Sequence, residues 1–231
     1  MSAPFTITKL KNNCVWTTTP LDKDAAICAL TLVGAPTNSH TLEIAWVGPK
    51  IIIKEKGFIA ISGAELPLYI NEIEQKTNVA VKVEKEDQIT FGPIKKGFRA
   101  YLAFGQKKCK GPFYELPKIM PLKAFLGPEH QLLPPVIKKT LIHQTFKVTK
   151  NTNRMGMQLT PRIKSDLPEI ITSPVLPGTV QCTPSGRLIV LLADCQVTGG
   201  YPRILQLTKE SIQKIAQRAP SSEIKFQIIE Y

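Results

Sequence analysis

No apolar run in this chain of 231 residues approaches the roughly 18 residues needed to span a bilayer, and the longest, such as Leu188 to Ala193, are strand-sized. A membrane-spanning helix is therefore not expected. The opening MSAPFTITKLKNN lacks an apolar signal core followed by a small-residue cleavage site, so export is not indicated and a cytoplasmic location is expected. No repeat of 20 to 50 residues of the solenoid kind is visible.

Clustered metal ligands are lacking too. The five cysteines (Cys14, Cys28, Cys109, Cys182, Cys195) are odd in number and widely spaced, with no Cys-x-x-Cys pair, which argues against a zinc site and a disulfide framework. They read as small, apolar, packed thiols. His40, His130 and His143 are equally scattered, so neither a metal site nor a Ser-His-Asp arrangement has local support.

Acidic residues are in deficit, giving a net charge of +12. Such an excess raises the question of phosphate binding. However, residues 1–119 hold 16 Lys and Arg against 11 Asp and Glu, and the remainder 14 against 7, so the excess is spread along the chain. The densest cluster, Lys107, Lys108 and Lys110, sits in a short Gly-flanked loop where solvated lysines are the ordinary expectation. No nucleic-acid partner is expected; an acidic partner subunit or an anionic ligand fits better.

What the chain does contain is 43% hydrophobic and 21% charged residues, the usage of a folded globular protein. Phe5 to Thr17 alternates, and Asp22 to Val33 reads as a short helix stopped by Gly34, with Pro36 beyond. Strands are expected at Leu42 to Val47, Ile51 to Ile53, Phe58 to Ser62, Leu68 to Ile70, Val79 to Val83, Gln88 to Phe91 and Ala100 to Phe104. The alternation of VAVKVEK puts Val79, Val81 and Val83 on one face. Between Lys107 and Pro135 the proline-rich sequence reads as a connector, because proline lacks a ladder donor. With a boundary near Met120, the expected domains are 1–119 and 120–231.

In the second half a helix is expected over Pro135 to Leu141 and strands at Thr145 to Thr149, Glu169 to Thr172, Val180 to Cys182, Leu188 to Leu192, Arg203 to Leu207 and Ile224 to Ile229. One further helix starts at Thr208, a capping residue, and stops at Pro220, with Ile212, Ile215 and Ala216 as its buried stripe. Many short strands with few helices imply a mainly β protein of two barrel-like or sandwich domains.

The chemistry concentrates in PGTVQ (Pro177 to Gln181), Pro184-Ser185-Gly186, and the strand leading into DCQVTGGYP (Asp194 to Pro202). Pro-Ser-Gly supplies a turn, and a two-residue period would set Asp194, Gln196 and Thr198 on one face. Gly199 and Gly200 allow a ligand or another backbone to approach. A carboxylate, an amide and a hydroxyl on one face suit a small ligand bearing a lactam, amide or carboxylate. The plainer alternative is a strand end whose Asp and Thr cap backbone groups, with Gly-Gly as a bulge. Arg154 suits forked carboxylate or phosphate recognition, or else a salt bridge to Asp166, Glu169 or Asp194. Tyr201 either meets a ligand or packs beside Pro202.

NRMGMQL, PGTVQ and LIVLLADCQVTGGYPRI resemble, in order and spacing, the family that contains the 5-oxoprolinase C subunit, KipA, allophanate hydrolase subunit 2 and the carboxyltransferase segment of urea carboxylase. Weaker similarity covers LVGAP, FIAISGAEL and FGPIKKGFRAYLAF. The resemblance implies two cyclophilin-like β-barrel domains, a KipI-like B subunit and an A-type subunit as partners, and ATP-driven opening of 5-oxoproline to glutamate. It also implies that Arg154, Gln181, Asp194, Gln196, Thr198, Gly199 and Tyr201 line the ligand site; it names no catalytic base. The family's usual Gln-Asp-x-Gly-Arg and Ser-Gly-Ala-Met-Asp elements are missing, with VWTTTPLDKDAA instead, so the first domain is shortened and degenerate. Two alternatives follow: a KipA-like regulator that sequesters a KipI-like partner without catalysis, and a biotin-linked carboxyltransferase component, disfavoured because this chain contains no biotin-carrying segment.

Overall fold

A computed structural model describes residues 3–9, 14–118, 121–164 and 167–230. Backbone proximity divides the chain into two compact units, Met1–Pro117 and Lys118–Tyr231.

The first unit runs β1 (Phe5–Lys9), β2 (Cys14–Thr17), α1 (Lys23–Leu32), β3 (Thr41–Ala45), β4 (Lys50–Ile53), β5 (Gly57–Glu65), β6 (Leu68–Ile70), β7 (Ile73–Gln75), β8 (Val81–Val83), β9 (Gln88–Phe91) and β10 (Lys96–Gly105). Two five-stranded sheets form, in the orders β1-β4-β9-β6-β7 and β2-β3-β10-β5-β8. Ile44, Ile51, Ile59, Leu68, Ile89 and Leu102 bury between them, the inward half of each strand's alternation.

Helix α1 is the alanine-rich segment foreseen from sequence. Asp22 caps it by accepting from the Ala25 N–H at 3.1 Å. Gly34, at φ +66, ends it while the Ala35 N–H reaches back to the Leu30 carbonyl at 3.0 Å, closing the last turn. The Lys107 and Cys109 N–H groups donate to the Val33 and Leu32 carbonyls, so the exposed lysine cluster borders a helix C-terminus, where cations are favoured. One expectation needs correction here: the strand at Val81–Val83 starts two residues late, because Asn78 takes φ 56, and Val79 is exposed rather than aligned with Val83.

The second unit runs β11 (Leu122–Leu126), a short 3-10 turn (His130–Leu132), α2 (Pro135–His143), β12 (Phe146–Thr152), β13 (Gly156–Thr160), β14 (Ser173–Pro174), β15 (Thr179–Cys182), β16 (Leu188–Leu191), β17 (Thr198–Gly199), β18 (Arg203–Leu207), α3 (Lys209–Ala216), β19 (Glu223–Ile224) and β20 (Phe226–Ile228). Eight strands form one sheet in the order β19-β12-β13-β16-β15-β18-β11-β20. Its two edge strands, β19 and β20, are separated in sequence by Lys225 alone, so the sheet must curl until both edges meet on one segment. The Lys225 carbonyl, on the segment joining them, accepts from the Leu122 N–H of β11 at 2.7 Å. Curling into a barrel leaves no long unpaired edge. The protein is therefore mainly β, with a nearly closed barrel in this unit.

Period-two alternation decides which side chains fill the barrel. Met157, Val190 and Val180 form one cross-strand row and are all buried. The next row, Gln158, Ile189 and Gln181, points to the opposite face. Thr208 caps α3 by accepting from the Ser211 N–H at 3.2 Å, as its sequence suggests. The stretch 169–172 is not a strand; only Ser173 and Pro174 pair, with Gly199 and Thr198. Among the described residues no helix is long and apolar enough to cross a membrane.

Candidate functional site

The Pro-Ser-Gly segment forms the turn between β15 and β16, with Gly186 at φ +76 and its N–H donating to the Thr183 carbonyl at 2.8 Å. This turn fixes the register that sets Gln181 opposite Ile189. On the other side of β16, the hairpin β12–β13 turns at Asn153, whose Oδ1 accepts from the Met155 and Gly156 N–H groups at 2.8 and 3.1 Å.

Beyond Leu191 the expected alternation fails. Ala193 and Asp194 form a turn, residues 195–197 are irregular, and Thr198–Gly199 is only a two-residue strand. Asp194, Gln196 and Thr198 thus do not share a strand face. Two hydrogen bonds turn the chain out of the ladder: the Asp194 N–H donates to the Arg154 carbonyl and the Cys195 N–H folds back to the Leu192 carbonyl.

Arg154 meets Asp194 in a forked pair, Nε to Oδ2 at 2.7 Å and Nη2 to Oδ1 at 2.9 Å. Of the salt-bridge partners weighed from sequence, Asp194 is engaged by Arg154; Asp166 lies outside the described residues. The pair ties the β12–β13 turn to the loop after β16. Gln181 is 1% exposed, and its Nε2 donates to the Tyr201 carbonyl at 3.3 Å. A β-carbon on Gly199 would lie 2.6 Å from that Nε2, so glycine is needed for the amide to lodge there. Thr198 is exposed.

Three of the seven expected residues, Gln181, Gln196 and Tyr201, line a depression of about 410 Å³ on the outer sheet face. Arg154, Asp194, Thr198 and Gly199 are not among its lining residues, although Asn153 and Met155 on either side of Arg154 are. Sequence reasoning missed Lys150, Asn151, Asn153, Gln158 and Ile189, which form part of the wall. The alternation of GMQLT carried the signal for Gln158, since Met157 and Leu159 face the core. A larger depression of about 720 Å³ in the first unit, bordered by Glu65, Glu74, Lys76 and Lys95, contains none of the expected residues.

The lining is distinctive in charge. It includes five amide side chains and Lys150, but no Asp, Glu, His or Cys. Nearby Cys195 has its thiol pushed up by burial, and further by Asp194, so it stays protonated rather than becoming an activated nucleophile. Among the described residues no three His, Cys, Asp or Glu gather as a metal site. The arrangement can bind a polar molecule, with Lys150 and Tyr201 as the proton-bearing side chains beside the amides.

Residues 15–111 and 106–228 match the carboxyltransferase domain, subdomain A and B. The chain belongs to this carboxyltransferase-domain family. Its relatives include the 5-oxoprolinase C subunit of Escherichia coli (strain K12), 24% identical over 249 residues, covering 89% of this chain and 80% of that protein. The 5-oxoprolinase C subunit of Haemophilus influenzae is 38% identical over 87 residues, covering 36% of this chain and 28% of that protein. In three dimensions the chain is similar to the solved structure of TTHA0988, with a TM-score of 0.82 and 22% identity over 96% of this chain. It spans 55% of that chain, about half its length. That likeness establishes the cyclophilin-like carboxyltransferase-domain fold for this chain.

Proposed function

We propose that this chain is the ligand-holding subunit of an ATP-dependent amidohydrolase complex, resembling 5-oxoprolinase, that opens a cyclic amide such as 5-oxoproline to glutamate. The observation that carries the reading is the amide-rich depression with one cation, Lys150, in its lining. Amides match an amide ligand in donors and acceptors, and Lys150 matches its carboxylate. The relatives named for the C subunit of 5-oxoprolinase support this substrate class.

Lactam hydrolysis needs activation of an unreactive carbonyl, and phosphorylation of its oxygen by ATP creates a leaving group. Lys150 alone in the depression is too little charge to hold a triphosphate, so ATP is assigned to the complex, with the KipI-like B subunit and A-type subunit as partners in the cytoplasm. In this reading Arg154 and Asp194 hold the loop that carries Gln196, Gly199 backs Gln181, and Tyr201 borders the ligand, while Thr198 stands outside the depression.

A second reading, a KipA-like regulator that binds a KipI-like partner without turnover, is favoured by one observation: Arg154 and Asp194 neutralise each other. The two readings separate when ATP hydrolysis is measured for this chain co-expressed with B-like and A-like partners. Stimulation by 5-oxoproline with glutamate release supports the enzyme subunit; a stable complex without stimulated turnover supports the regulator.

A further inference from the structure

We infer that Gln158 and Gln181 act as a matched donor and acceptor that select a neutral amide with a free N–H, with Gln158 as a binding residue in its own right. This rests on the depression being the ligand site and goes further by fixing the polarity of the recognition.

Three adjacent strands provide the frame. Gln158 of β13 lies opposite Ile189 of β16, and Gln181 of β15 lies opposite the same Ile189 from the other side. Strands are spaced about 4.8 Å apart, so the two glutamines flank an apolar floor with backbones about 10 Å apart. All three residues line the depression.

The orientation of each amide is forced by a partner with only one role. Gln158 Oε1 accepts from Arg187 Nη1 at 3.1 Å and from Asn151 Nδ2 at 3.3 Å. A guanidinium has no acceptor, so oxygen must face Arg187 and the NH2 group is turned away from it. Gln181 Nε2 donates to the Tyr201 carbonyl, which has no donor, so its nitrogen must face that carbonyl and Oε1 is turned away. Neither Gln158 Nε2 nor Gln181 Oε1 has a hydrogen-bond partner among the described residues.

One side therefore presents a donor and the other an acceptor, above a hydrophobic floor. A neutral amide meets all three: its carbonyl accepts from Gln158, its N–H donates to Gln181, and its aliphatic ring covers Ile189. An ester offers the carbonyl without the N–H, which leaves Gln181 Oε1 desolvated and unpaired. A site built to pair a polar group discriminates strongly against the analogue that lacks it.

The test titrates the full chain with 5-oxoproline and with its lactone analogue, 5-oxotetrahydrofuran-2-carboxylate, which differs by oxygen in place of N–H. Unmodified protein is expected to bind the lactam about tenfold more tightly, the worth of one hydrogen bond. Gln181→Met should remove that preference by weakening the lactam alone, whereas Gln158→Met should weaken both probes about tenfold. Unchanged thermal unfolding of both variants separates these effects from misfolding. Equal affinity of the unmodified chain for the two probes, or Gln158→Met binding the lactam as before, overturns the inference while leaving the depression as a ligand site. If the unmodified chain binds neither probe, the functional reading falls with it.

Discussion

Gln181 and Gly199 are fitted to each other: the buried amide nitrogen occupies the space where a β-carbon at 199 would stand, 2.6 Å away. The backbone of Gly199 is not held at positive φ, so glycine is required there by the neighbour rather than by the turn. Gly199→Ala is expected to displace the Gln181 amide and reduce 5-oxoproline affinity about tenfold. Because a side-chain end yields, stability should fall by no more than about 1 kcal/mol. Titration of the variant beside its thermal unfolding curve checks both halves.

Arg154 and Asp194 form a forked pair whose side chains are 16% and 46% exposed. Water reaches Asp194, so the pair adds little stability, about 1 kcal/mol or less. Arg154→Ala and Asp194→Ala should therefore fold normally, yet each should weaken lactam binding by freeing the loop that carries Gln196. Unchanged affinity in folded variants would remove both residues from the account of the site.

Gly186 provides the contrasting case. It stands at φ +76, and a β-carbon there would lie 1.8 Å from the Ile163 carbonyl oxygen. Backbone cannot yield as a side-chain end does, so Gly186→Ala should cost about 2 kcal/mol or more. A fall in Tm of roughly 5 °C or more checks this.

Glu129 and Arg203 carry the acid sensitivity of the second unit. Arg203 Nε and Nη2 hold the two carboxylate oxygens at 2.9 and 2.7 Å, and Nη1 reaches the Pro174 carbonyl at 2.8 Å. Hydrogen bonding from Arg203, against some opposing burial, holds the Glu129 carboxyl below its ordinary value near 4.5. A depressed folded value means the stabilisation is full above 4.5 and is lost as pH falls through the lower folded value. Glu129→Gln should cost about 1 kcal/mol at neutral pH and flatten the acid limb of a stability–pH profile. A profile unchanged by the substitution contradicts this assignment.

Helix α1 and the cap at Thr208 were legible because their signals are local: a capping side chain, an apolar stripe and a stop. The β15 and β16 strands were legible from apolar runs around Pro-Ser-Gly. The loop from Asp194 to Val197 was not, because its course depends on the Arg154 carbonyl, 40 residues away in sequence. Lys150, Asn151 and Gln158 escaped for a related reason. They become neighbours of Gln181 only when β13 and β16 pair, and strand register is a tertiary outcome.

The most direct test of the central claim is side-chain amide NMR of the 15N-labelled chain titrated with 5-oxoproline. The account predicts that the NH2 resonances of Gln158, Gln181, Gln196 and Asn151 shift together with one binding constant. Shifts confined to other amides, or none at concentrations that saturate the assembled complex, would contradict it.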